Sequence, residues 1–204
     1  MGIIKRHIIL DVQHIGKPGK EDFGASADMD KDGKIKLYET EAEYTRRLTQ
    51  HVSTKAFRYG LNTIVFSYGN YSKRHEIANN IAKTNPDDRF FYFALHFNAP
   101  LTSGFYGLVA HDSRSSVGKA LADSFSNKLV QFFPHLTKCK VEAVGPFSTE
   151  YQKNLWNTFA GIYKGPNNIC GVCIEPSFVA DSTVLSDAGL DALAECIIES
   201  CDGT

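Results

Sequence analysis

Phe90-Phe-Tyr-Phe-Ala-Leu-His96 is the stretch that decides the fold. Six apolar, mostly aromatic residues without a break suit a strand covered on both faces, and the run closes on an imidazole. Two other runs share this form: His7-Ile-Ile-Leu-Asp-Val-Gln-His14 and Ile169-Cys-Gly-Val-Cys-Ile-Glu175. Further strand-like runs cover residues 61–67, 104–111 and 140–144. Helical spacing fills the gaps. Residues 41–59 align Leu48, Val52, Ala56 and Tyr59, and residues 73–83 align Ile77, Ala78 and Ile81. Residues 116–133 align Val117, Leu121, Phe125 and Leu129, and residues 187–201 repeat Leu190, Leu193, Ala194, Ile197, Ile198 and Cys201. Alternating strands and helices predict a three-layer α/β/α sandwich around a mostly parallel sheet of about six strands. One domain spanning residues 1–204 is expected. Residues 145–168, rich in Gly, Pro, Asn and aromatics, read as a loop beside the site.

Composition narrows the function classes. The 204 residues carry 22 basic and 23 acidic side chains, a balance that gives no general attraction to nucleic acid or anionic membrane. No stretch approaches the roughly 18 apolar residues that suggest a membrane span. Met1-Gly-Ile-Ile-Lys-Arg-His runs straight into a strand pattern with no secretory leader, so cytoplasmic synthesis is expected. The five cysteines are odd in number, which argues against a disulfide framework. Cys170 and Cys173 form a C-x-x-C within a strand and would face opposite sides of the sheet, a poor chelating arrangement.

His14, His96 and Glu175 each close a core strand, and sites in open α/β sheets lie beyond the carboxyl ends of the strands. Two imidazoles and a carboxylate are also the ligand types of many catalytic zinc centres. His7, His51, His75, His111 and His135 lack such context and read as surface or packing residues. Asp11 suits either an orienting partner behind the site or a loop cap.

At this point the chain resembles the zinc-dependent N-acetylmuramoyl-L-alanine amidases, the amidase type 3 family. The motifs are Leu10-Asp-Val-Gln-His14-Ile-Gly16, Asp22-Phe-Gly-Ala25, Arg74 with Ala78-Asn79, Ala94-Leu-His96-Phe-Asn98-Ala99, Gly104-Phe105 and Ile174-Glu175-Pro-Ser-Phe178. Val12-Gln13 stands where the family usually has Pro-Gly, and Ala94 replaces a common Ser. The resemblance implies that His14, Glu41 and His96 hold zinc and that Glu175 is the catalytic carboxylate. It also marks Asn98 and Arg74 as substrate-binding candidates. Glu41 gives the best register with the apolar helix face, and Glu39 is the alternative third ligand. Both, with Glu43, also suit a solvated helix N-terminus. The implied reaction is hydrolysis of the amide between N-acetylmuramic acid and the L-alanine of the peptidoglycan stem. A monomeric phage endolysin acting on the wall after release is the expected setting. A related zinc peptidase and a non-catalytic wall glycopeptide-binding module are the competing readings.

One motif stands apart. Asp28-Met-Asp30-Lys-Asp32-Gly33-Lys-Ile35-Lys-Leu-Tyr-Glu39 matches the twelve-position EF-hand calcium loop. The helix that should enter it is missing, and Asp-Lys-Asp-Gly is also a common hairpin turn. A calcium site and a plain turn are both open readings of this segment.

Overall fold

A computed structural model describes residues 4–14, 22–67, 69–99 and 105–202. Gly16 and Gly104 of the motifs above lie outside the described residues. The chain forms β1 (Arg6–Val12), α1 (Glu41–Arg58), β2 (Leu61–Phe66), α2 (Tyr71–Thr84), β3 (Arg89–Leu95) and β4 (Gly107–Asp112). It continues through α3 (Ser116–Phe132), β5 (Cys139–Val144), α4 (Glu150–Asn157), β6 (Ile169–Glu175), α5 (Ser182–Leu185) and α6 (Asp187–Ser200). Short 3-10 turns occupy Leu37–Glu39 and Ala160–Lys164.

The strands make one sheet in the order β2-β1-β3-β6-β4-β5. The first four in that order are mutually parallel, while β4 meets β6 antiparallel and carries β5 parallel to itself. The carboxyl ends of β1, β3 and β6 therefore share one edge with the amino end of β4, where Leu108 pairs with Glu175. Alternation in β1 shows how the layers are fed. Ile8 and Leu10 enter the core under α1, α3 and α6, whereas Ile9 enters the core shared with α2, α4 and the second 3-10 turn. Cys170 and Cys173 divide the same way, one in each core, as strand geometry requires.

Three helix faces differ from the sequence reading. Tyr59 is exposed just past the end of α1, where its hydroxyl meets Glu195 on α6. The buried stripe of α2 is Arg74, His75, Ala78 and Ala82, with Ile77 turned outward. Val117 is likewise exposed, and α3 buries Gly118, Leu121, Ala122, Phe125 and Leu129. In α2 the stripe starts earlier, at Arg74, and replaces Ile81 with Ala82; in α3 Leu121, Phe125 and Leu129 are buried as expected and Gly118 takes the place of Val117. The segment 145–168 is also not a plain loop. Thr149 and Gln152 form a capping box that starts α4, whose Leu155 enters the core with Phe159 and Ile162. Among the described residues no helix is long and apolar enough to cross a membrane.

Candidate metal centre

The sheet edge described above gathers three side chains from distant parts of the chain. β1 ends at Val12, opposite Leu95 at the end of β3, so His14 and His96 leave adjacent strands side by side. His14 does so with φ 58°, a left-handed backbone that a non-glycine residue adopts only when its surroundings hold it there. Glu41 opens α1. Thr40 caps that helix by accepting from the Glu43 amide, and the Glu41 amide donates to the Ala25 carbonyl at 2.8 Å.

His14 Nε2 lies 3.3 Å from His96 Nδ1 and 3.4 Å from Glu41 Oε1, and His96 Nδ1 lies 2.9 Å from Glu41 Oε1. Zinc bonds of about 2.0–2.1 Å place tetrahedral ligand atoms roughly 3.4 Å apart. The observed triangle has nearly that size. With its Nδ1–H turned to Asp22, a neutral His14 ring points an Nε2 lone pair at the Glu41 carboxylate, an edge that the His96 N–H cannot also bridge. A single cation at the centre satisfies all three atoms. His96 Nε2 is buried with no hydrogen-bond partner among the described residues.

The surroundings fix this triangle. The Phe97 amide donates to Glu41 Oε1 at 3.0 Å and the Ala25 amide to Oε2 at 2.9 Å. Burial pushes the Glu41 carboxyl up, but His96, His14 and the Ala25 amide outweigh it, so Glu41 sits below its ordinary range and is ionised. Asp22 Oδ1 accepts from the Gly24 amide at 3.0 Å and lies 3.2 Å from His14 Nδ1, orienting the ring from behind. Gly24 has φ +69°, and a Cβ there would fall 2.4 Å from Glu41 Oε2 and 2.7 Å from the His14 ring. Only glycine fits that cradle.

Glu175 is one strand over. The His96 amide donates to the Ile174 carbonyl at 2.9 Å, which sets Glu175 beside His96. Its carboxyl is 8% exposed and accepts from the Tyr151 hydroxyl at 3.4 Å. Burial chiefly raises its pKa, the Glu41 charge adds to this, and His96 and Tyr151 oppose it. A carboxyl held up in this way, next to a metal-type cluster, has the properties of a proton carrier.

The remaining candidates separate. Glu39 is not part of the triangle; its buried carboxylate accepts from the Met29 and Lys36 amides, both at 2.8 Å. Arg74 is buried, paired with Asp11 Oδ1 at 2.6 Å and donating to the Val12 carbonyl at 2.9 Å. Its guanidinium therefore braces the end of β1 that presents His14 and does not reach out toward a substrate. Asn98 is half-buried at the same edge, with its backbone bridging to Ser177 and Val179 and its side-chain oxygen accepting from the Ala99 amide. Asp28, Asp30 and Asp32 do cluster. A cation of the chain already serves them: Lys36 Nζ pairs with Asp30 and lies 2.8 Å from Asp32. Asp28 is engaged by the Asp32 and Gly33 amides. With Glu39 also committed to amides, the segment is a turn held by Lys36 and its own backbone, and the calcium reading finds no support.

Sequence reasoning missed Tyr151, because 145–168 read as loop, and gave no role to Asp22. The Asp-x-Gly spacing was visible, but its meaning depends on where His14 comes to rest. Two cavities lie nearby. The larger, about 780 Å³ between α2 and α4, is not lined by the triangle. The smaller, about 460 Å³, is lined by His14 itself.

Fold and site together define an α/β/α protein with a His-Glu-His cluster and a buried glutamate at one sheet edge. Several solved structures with this fold are named as amidases. N-acetylmuramoyl-L-alanine amidase AmiC2 of Nostoc punctiforme aligns over 96% of this chain and 94% of its own, with a TM-score of 0.66 at 17% identity. An N-acetylmuramoyl-L-alanine amidase from Clostridium difficile 630 aligns over 97% and 95%, with a TM-score of 0.67 at 16% identity. The catalytic domain of the CD27L endolysin targeting Clostridia difficile covers 96% of each chain, with a TM-score of 0.63 at 16% identity. The sequence matches no family model, and no curated protein aligns with it. At these identities the likeness establishes the shared fold.

Proposed function

We propose that this protein is a zinc-dependent N-acetylmuramoyl-L-alanine amidase of peptidoglycan. The observation that carries the reading is the triangle of His14 Nε2, Glu41 Oε1 and His96 Nδ1, sized for a tetrahedral cation, with Glu175 on the adjoining strand. The shared fold with proteins named as amidases supplies the substrate class.

His14, Glu41 and His96 would hold the metal, and three protein ligands leave one position open for chemistry. Zinc, when bound, supplies a Lewis acid that polarises an amide carbonyl and acidifies water. The chain's own residues do the rest. Asp22 holds the His14 ring, and the Ala25 and Phe97 amides hold both oxygens of Glu41. Glu175, with its pKa raised by burial, takes a proton on a carboxylate oxygen during attack and passes it to the departing alanine nitrogen. Tyr151 donates to Glu175 Oε2 and so orients that carboxylate.

The test is mass spectrometry of the products released from purified peptidoglycan, with and without a chelator. Free stem peptides beginning at L-alanine, lost on chelation and restored by zinc, are expected. Fragments cleaved at a different bond would refute the amidase assignment. Glu175→Gln should retain zinc and lose about 10²–10⁴-fold in turnover; full activity in that variant would remove Glu175 from the mechanism.

A further inference from the structure

We infer that the 460 Å³ groove beside His14 is the subsite for the stem-peptide side of the substrate, with Arg46 reading a peptide carboxylate; this rests on the amidase reading. The groove is continuous with the candidate centre because His14 lines both. Its volume falls within the range of small-ligand sites, about 300–1,000 Å³. Val12, Phe23, Leu37 and Val65 give it an apolar side, and Thr49, Gln50 and Ser67 add polar groups for a peptide backbone. Of the apolar four, the last three are exposed, and a peptide lying in the groove would bury them.

Arg46 supplies the charge. It lines the groove from α1, with its side chain 52% exposed. Nε and Nη2 bond Glu43 at 2.7 and 2.5 Å, which fixes the guanidinium plane through one edge. A guanidinium has five donors, so the opposite edge is free for a second carboxylate in the same fork geometry. This chemistry chooses between the two halves of the substrate. The glycan half commits its lactyl carboxyl to the scissile amide. The peptide half carries a free carboxylate, at its C-terminus if nowhere else. A trough with an apolar side, polar groups for a backbone and a pre-oriented guanidinium suits a short peptide with small apolar side chains and an acid group.

Two variants test this, with two readouts. Arg46→Gln removes the charge, and Val65→Trp, at an exposed position of the edge strand β2, fills the trough without touching the core. Steady-state kinetics would use soluble muramyl peptides with free carboxylates, the same peptides amidated, and versions with a longer glycan. Calorimetry would measure binding of the free stem peptide. For Arg46→Gln, KM should rise about tenfold or more for the free acid, with kcat retained and little change for the amidated peptide. Val65→Trp should raise KM for every peptide-bearing substrate regardless of glycan length and weaken stem-peptide binding. Normal wild-type turnover with unchanged KM in both variants would overturn the inference, as would a Val65→Trp defect that grows with glycan length. Wild-type peptide binding that is lost in Arg46→Gln, without any amide cleavage, would keep the subsite and reject the amidase reading. Neither cleavage nor binding by the wild type would reject both.

Discussion

At the residue scale the centre depends on a few positions with no alternative occupant. Gly24→Ala forces a side chain into the space between His14 and Glu41 and imposes left-handed strain of about 1–2 kcal/mol. Its zinc content after dialysis should fall sharply while its far-ultraviolet circular dichroism stays unchanged. Asp22→Ala should weaken zinc affinity by roughly 10–100-fold, measured by chelator competition, because the His14 ring loses its rear partner. A third prediction concerns pH. Burial raises the Asp11 carboxyl from 3.8 to about 6, against the pull of Arg74, Tyr92 and Gln13. Between those values the folded chain binds a proton that the unfolded chain has released, so this group's contribution to stability is full below about 4 and declines as pH rises through 6. Replacing Asp11 by Asn should flatten that decline in the difference between wild-type and variant melting temperatures. An identical pH slope in both proteins would show that Asp11 does not titrate in this window. His14, His96 and Glu175 were legible because each closes an apolar run. Glu41 was legible only through the family resemblance together with its register on the apolar helix face, since three acids crowd the start of α1. The burial of Arg74 was not legible, because nothing local to it announces the partner Asp11 on β1.

At the element scale, caps and strand ends position the chemistry. Thr40 is the N-cap of α1, and the next residue is Glu41. Thr40→Ala should cost about 1 kcal/mol and loosen the metal site, read as a lower melting temperature together with weaker zinc retention. β3 and β6, buried on both faces, were readable to within a residue or two; β4, equally buried, begins at Gly107 rather than at 104. The expected helices were placed correctly, and the α6 face was read as it stands, but Ile77 and Val117, which look like core by type, turn outward. The helix α4 escaped because a single buried leucine leaves no periodicity to detect. Its Thr149-x-x-Gln152 start signal was present in the sequence all the same. The Asp28–Glu39 segment shows the opposite error. A motif complete in its acids was answered by Lys36, which the pattern does not count.

For the molecule as a whole, sheet class and layer count followed from alternation alone, but strand order did not. The reversal of β4 and β5 depends on long-range pairing with β6, and it brings Leu108 beside Glu175. Two cores, one on each face of the sheet, hold this arrangement through residues such as Phe93 and Leu193 on one side and Tyr92 and Phe159 on the other. Leu193→Ala, fully buried in α6, should cost about 2–5 kcal/mol in chemical denaturation and leave the zinc stoichiometry of the folded fraction unchanged.

The three candidate ligands come from residues 14, 41 and 96, and no local segment contains two of them. A growing chain therefore has no complete trap for the ion until β3 has emerged and docked, while both cores are built from side chains away from the triangle. Unlike small metal-nucleated modules that collapse when stripped, this protein should wait, folded and silent, in a zinc-starved cell. Supply of the ion would then act as a switch on stored protein, converting a standing pool to the active form without new synthesis.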